Sequence, residues 1–144
     1  TVPLQNDDAE VIFELTFPAC PDRLKLVRTL VLEAARMSGL CDSSSRDLVI
    51  AVDEACQNVI RHAYCGDPEG KIILEFARTA DSVVLKLRDF APLADVEKIK
   101  PRDLDDIRPG GLGTHFIFEL MDEATFTPPL EGDGNLLKMV KRIG

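Results

Sequence analysis

A chain of 144 residues with 45% hydrophobic content is long enough for one domain with its own core and has no signature of disorder. Its formal net charge of −8 excludes DNA or RNA as the main partner, because binding a phosphate backbone needs a basic face. No apolar run approaches the ~20 residues that span a bilayer, and residues 1–10 lack the basic start and apolar stretch of a signal peptide.

The first element is residues 10–17, EVIFELTF, whose alternation predicts a strand with Val11, Phe13, Leu15 and Phe17 on its buried face. Pro18 and Pro21 close it, and Pro21 also suits the first position of a helix. Over residues 22–38 the apolar positions Leu26, Leu30, Ala34 and Met37 recur at helical spacing, and Gly39 is a natural stop. Ser43, Ser44 and Ser45 are candidate N-caps for a second helix that runs to about Tyr64. The turn CGDPEG follows, and then two strands at 71–77 and 82–89. Residues 90–112 carry proline breaks, mixed charge and a glycine cluster over a length typical of a functional lid. A helix over 114–123 and strands at 124–126 and 136–142, around a turn at 131–135, complete the chain. The order β-α-α-β-β-loop-α-β-β predicts a single α/β domain. It is a two-layer sandwich, with a mixed, mostly antiparallel sheet and helices on one face.

In the second helix, SRDLVIAVDEACQNVIRHAY, the residues Leu48, Val52, Ala55, Cys56, Val59 and Ala63 share one face. Glu54 and Asn58 lie one turn apart on the opposite side, flanked by Asp47 and Arg61, with His62 at the edge. A solvated face accounts for such a stripe, but Asn disfavours helix interiors and Lys or Glu would serve solvent better. A carboxamide oxygen is a hard ligand suited to magnesium, and a carboxylate one turn away can take a proton. His62 reads more simply as a structural hydrogen-bonder, and two histidines without a third ligand do not make a zinc site. The four cysteines, Cys20, Cys41, Cys56 and Cys65, form no C-x-x-C pair, and a reducing cytoplasm is the expected location.

In SVVLKLRDF, Asp89 continues by period two the face of Val83, Leu85 and Leu87. An aspartate in phase with a buried face needs a partner, which a ligand's exocyclic amine would supply; capping of the next turn is the alternative. In RPGGLGTHFIF, Gly110, Gly111 and Gly113 precede a helix start near Thr114, where backbone N–H groups suit an anion. The pattern is neither a Walker A loop nor a Rossmann fingerprint, and a flexible turn accounts for it equally well.

Taken in order, VDEACQNVIRHAY, RDFAP, GGLGTHFIFELMDE and GNLLKMVKRI resemble the GHKL (Bergerat-fold) ATPases, and within them the bacterial anti-sigma-factor serine kinases. The likeness runs from about Glu10 to Arg142. It implies a histidine-kinase-like ATPase fold and a Mg-ATP-dependent kinase that phosphorylates a STAS-like anti-sigma-factor antagonist, sequesters a sigma factor and forms a homodimer. It further implies that Asn58 coordinates Mg²⁺, Glu54 is the general base and Asp89 accepts the adenine amino group. Gly111 and Gly113, with N–H groups around Thr114, would close over the phosphates; residues 93–110 would be the ATP lid, and Arg61 and His62 would lie near the phosphates. The family usually has Asp-x-Gly where this chain has Asp89-Phe90-Ala91, and Ala takes a positive φ less cheaply than Gly. Pro92 stiffens that turn, and His115 stands where an apolar residue is more usual. Weakened nucleotide binding is expected from Ala91, and a regulatory module with little transfer activity is the alternative.

Overall fold

The computed structural model describes residues 9–91, 116–127 and 134–144. Strand β1 spans Glu10–Pro18, and a single 3-10 turn at Pro21–Arg23 leads into helix α1, Leu24–Met37. Helix α2 spans Asp42–Asn58 and continues as one wide π-helical turn, Val59–Ala63. Strands β2 (Lys71–Arg78) and β3 (Ser82–Asp89) follow. The short helix α3, residues 116–120, then leads to β4 (Glu123–Thr127) and β5 (Asn135–Arg142).

The strands form one sheet in the order β1-β2-β3-β5-β4, with every pairing antiparallel among the described residues. The sheet's inner face presents Phe17, Ile72, Leu74, Phe76, Val83, Leu85, Leu87, Leu137 and Met139 to Val27, Val31, Leu48, Val52, Cys56 and Ile117 of the helices. The domain is the two-layer α/β sandwich expected from element order. Among the described residues no helix is long and apolar enough to cross a membrane.

Several local expectations are corrected. In β1, Val11 pairs with Ala77 while Phe13 pairs with the adjacent Phe76, so Ile12 is an extra residue in the ladder. Such a bulge reverses the phase of everything before it, and Val11 is accordingly 53% exposed. In α1 the buried stripe is Leu24, Val27, Val31, Ala34 and Ala35, whereas Leu26 and Met37 are 55% and 70% exposed. Gly39 does end that helix, at φ +103°, with Leu40 N–H donating back to the Ala35 carbonyl at 3.1 Å. Helix α2 begins earlier than expected, at Asp42, and its cap is Cys41, whose Sγ accepts from Ser44 N–H at 3.5 Å. Ser43, Ser44 and Ser45 therefore lie inside the first turn. The predicted 114–123 helix ends sooner, and Glu123 opens β4. Asn135, expected in a turn, is the first residue of β5.

Candidate functional site

Two polar stripes run side by side along α2. In the first, Asp53 accepts from Arg28 Nη1 of α1 at 2.8 Å and from Gln57 Nε2 at 2.7 Å. Gln57 Oε1 in turn accepts from Arg61 Nη2. This stripe clasps α1 to α2, because its members sit at the i, i+4 spacing that brings helical side chains together. Glu54 and Asn58 form the second stripe, one position on, and both are half-buried. Among the described residues Glu54 takes part in no side-chain hydrogen bond or ion pair, so its carboxylate is uncommitted within the fold.

Beyond Asn58 the helix widens. Tyr64 N–H donates to the Val59 carbonyl at 2.9 Å and Gly66 N–H to the Ile60 carbonyl at 2.8 Å. The wider turn makes Ile60 the buried residue, while Val59 and Ala63 are only half-buried. Arg61 and His62 both lie on this turn and are exposed. Arg61 is tied to the Asp53–Gln57 stripe, and the His62 carbonyl accepts from Cys65 Sγ at 3.7 Å. Arg61 and His62 are thus exposed where Glu54 and Asn58 are half-buried, and Arg61 is committed to the first stripe. Turns of this kind recur at functional sites.

Asp89 ends β3 in the inner-face row that crosses four strands as Phe17, Ile72, Asp89 and Asn135. It is 4% exposed, the in-phase burial that period two predicted. Its Oδ1 accepts from Asn135 Nδ2 at 3.0 Å and from Ala91 N–H at 3.1 Å. Asp89 thus caps the following turn and also presents a second oxygen, Oδ2, that no described residue engages. Burial pushes its pKa up, partly opposed by the hydrogen bonds from Asn135 and Ala91. A buried carboxylate with one oxygen held and the other unengaged by the described residues has the chemistry required of a receptor for a neutral N–H donor, such as the amine of adenine.

Three residues that sequence reasoning passed over complete this arrangement. Tyr64 Oη donates to the Lys71 carbonyl at 2.6 Å and accepts from Phe90 N–H at 2.6 Å, joining the end of α2 to the 89–91 turn. Its ring lies against Gly70, where a Cβ would come within 2.5 Å of the ring carbons. Asn135 holds Asp89 from β5. Gly134, at φ +116°, backs directly onto the Asp89 carbonyl, and any Cβ there would overlap that oxygen. A glycine next to a strand start and a tyrosine just after the ExxxN stripe were visible in sequence, but their contacts cross many residues.

The turn itself corrects an expectation. Ala91 is buried, donates its N–H to Asp89, and is not among the described residues with positive φ. The alanine that replaces the family's usual glycine is therefore accommodated without left-handed backbone. Phe90 points the other way, its ring between Lys71 Nζ at 4.7 Å and Arg88 Cζ at 4.6 Å. Gly110, Gly111, Gly113, Thr114 and His115, Pro92, and the 93–110 segment lie outside the described residues.

Comparison with known proteins identifies the class. Residues 17–141 match the model of the histidine kinase-like ATPase domain. The chain belongs to that family, and ATP is its expected nucleotide. A serine-protein kinase RsbW of Bacillus subtilis is 31% identical over 119 residues, covering 76% of this chain and 74% of the relative. The serine-protein kinase RsbW of Listeria monocytogenes is 32% identical over 117 residues, with 76% and 74% covered. Within the family the chain is accordingly a protein kinase of the serine type. Among solved structures, SiaB in the SiaB–SiaC complex of Pseudomonas aeruginosa superposes with TM-score 0.68 at 14% identity, covering 96% of this chain and 94% of that one. The RsbU and RsbW domains of a Mycobacterium tuberculosis protein give 0.65 at 18% identity. There the chain spans 91% of its own length but 31% of the larger protein. At these identities the structural matches speak for the fold.

Proposed function

We propose that this protein is a Mg-ATP-dependent anti-sigma-factor serine kinase that phosphorylates an anti-sigma-factor antagonist of STAS type and sequesters a sigma factor. It acts in the cytoplasm as a homodimer. The observation that carries the nucleotide part is Asp89, buried in register with the core, whose described side-chain hydrogen bonds fall on Oδ1 and leave Oδ2 unengaged by the described residues. The names of the serine-protein kinase relatives support the transfer chemistry. The assignment to an antagonist and a sigma factor rests on the family resemblance of the motifs, and the assembly of SiaB with SiaC is consistent with a small protein substrate.

Bound Mg-ATP supplies the transferable phosphoryl group and the metal charge that offsets its oxygens. The chain's own residues divide the remaining work. Asp89 Oδ2 accepts from the base and so fixes the nucleotide's orientation. Asn58 offers the hard oxygen for the metal, from a helix position held rigid by the packing of Leu48, Val52 and Cys56. Glu54, uncommitted and one turn away, takes the proton from the attacking serine hydroxyl. Arg61, anchored by Gln57, lies on the turn after Asn58 and would contribute positive charge near the phosphates, with His62 beside it on the same turn. By the family resemblance, Gly111, Gly113 and the N–H groups around Thr114 would close over the phosphates, with residues 93–110 as the ATP lid.

Titration of the protein with ADP and Mg²⁺ by calorimetry tests this reading. Saturable one-site binding that weakens when Mg²⁺ is chelated is the expected result. A protein that binds neither ADP nor ATP in the presence of Mg²⁺ is not the kinase described here.

A further inference from the structure

Tyr64 is the chain's sole tyrosine, and it is placed where the two halves of the site meet. Its hydroxyl both donates and accepts, at 2.6 Å each, which only the protonated phenol can do. Burial raises its pKa, so the phenol keeps its proton at neutral pH. The ring is wedged against Gly70, whose carbonyl accepts from Ala19 N–H at 2.7 Å, so the start of β2 is fixed on both sides. One residue after Asp89, the Phe90 N–H has Tyr64 Oη as its partner, and the next N–H, of Ala91, is spent on Asp89 Oδ1. The aim of Asp89 Oδ2 is therefore set by a backbone turn whose position Tyr64 determines from the helix side.

We propose that Tyr64 is a positioning residue for base recognition: its hydroxyl holds the 89–91 turn so that Asp89 meets the exocyclic amine of a purine. This inference rests on reading the site as an ATP site. It assigns Tyr64 to selectivity for the base and not to the phosphates, which the Asn58 end of α2 serves. Removing the hydroxyl leaves the ring against Gly70 but frees Phe90 N–H and the Lys71 carbonyl. Asp89 then keeps its bonds to Asn135 and Ala91 while losing the fixed turn beneath it.

The test is calorimetric titration of the full chain and of Tyr64→Phe with Mg-ADP and Mg-IDP. Hypoxanthine carries a carbonyl where adenine carries the amine, so IDP reports phosphate and stacking contacts without the Asp89 bond. The parent is expected to prefer ADP by about tenfold, and the variant to lose about five- to tenfold in ADP affinity with less than a twofold change for IDP. Because the two nucleotides are compared on the same sample, a reduced folded fraction cancels from the ratio. A variant that retains the parent's ADP-to-IDP preference overturns the inference alone, whether both affinities fall together or neither moves. A parent that binds neither nucleotide overturns the ATP-site reading and this inference with it.

Discussion

Replacing Asp89 by Asn separates what the fold needs from what the nucleotide needs. The amide oxygen of Asn can keep both bonds that Oδ1 now accepts, from Asn135 Nδ2 at 3.0 Å and Ala91 N–H at 3.1 Å. Only the open oxygen changes, becoming an NH₂ group that meets the adenine amine as donor against donor. Hydrogen bonds to a charged group contribute about 1.5–3 kcal/mol, so ADP affinity should fall by about 10- to 150-fold. Stability should move the other way. Burial raises the Asp89 pKa in the folded protein, so its favourable contribution is present below the unfolded-state value and is lost as pH rises through the folded value. At neutral pH the ionised carboxylate is a net cost that Asn removes. The assay is ADP calorimetry with thermal melting of both proteins at pH 7. The expected variant binds ADP at least tenfold more weakly and melts no lower than the parent. Unchanged ADP affinity together with a lowered melting temperature would refute the reasoning, because Asp89 would then be a purely structural cap. The parent's own ADP affinity should weaken on acidification, beginning above the usual carboxylate range.

Gly134→Ala should be destabilising by at least about 1–3 kcal/mol, since it places a side chain at φ +116° and against the Asp89 carbonyl; urea unfolding measures it, and an unchanged midpoint contradicts the close approach. The buried Cys56 thiol is pushed up to about 12 by burial and, secondarily, by the Asp53 charge. A thiol reagent at pH 7 should therefore label the exposed Cys41 and Cys65 in the folded protein and reach Cys56 only after unfolding; mass spectrometry of the labelled peptides decides it.

Much of the site was legible because its signals are periodic. Asp89 shared the phase of Val83, Leu85 and Leu87, and strand pairing kept that phase across the sheet. Glu54 and Asn58 fell on one helical line, and the helix formed around them, though it starts at Asp42 and widens into a π turn after Asn58. Where the pattern was ambiguous, sequence chose wrongly. Helix α1 is apolar on two adjoining stripes, and periodicity cannot tell that Val27 and Val31 pack fully while, of the expected stripe, Ala34 is buried, Leu30 half-buried and Leu26 and Met37 exposed. The bulge at Ile12 is a one-residue event with no compositional mark, yet it sends Val11 to the opposite face. Cys41 served as cap where three serines competed for the role. Tyr64, Gly134 and Asn135 were missed for a different reason. Tyr64 and Asn135 act through hydrogen bonds to residues 26 and 46 positions away, and Gly134 through its packing against the backbone at Asp89. No local pattern encodes such pairs. At Ala91 the backbone takes no left-handed conformation and donates its N–H to Asp89, so the turn does not need glycine for its φ; the expected effect of the methyl on nucleotide binding is a separate matter for titration.

The central claim is that Glu54 drives phosphoryl transfer to a serine on a protein partner. Its most direct test is Glu54→Gln assayed for labelled-phosphate transfer from ATP to a STAS-type antagonist, beside ADP titration of the same preparation. The carboxamide keeps the shape of the side chain and removes its basicity. Transfer should fall by about 10²- to 10⁴-fold while ADP affinity stays within about twofold of the parent. Transfer at the parent rate in Glu54→Gln would contradict the account.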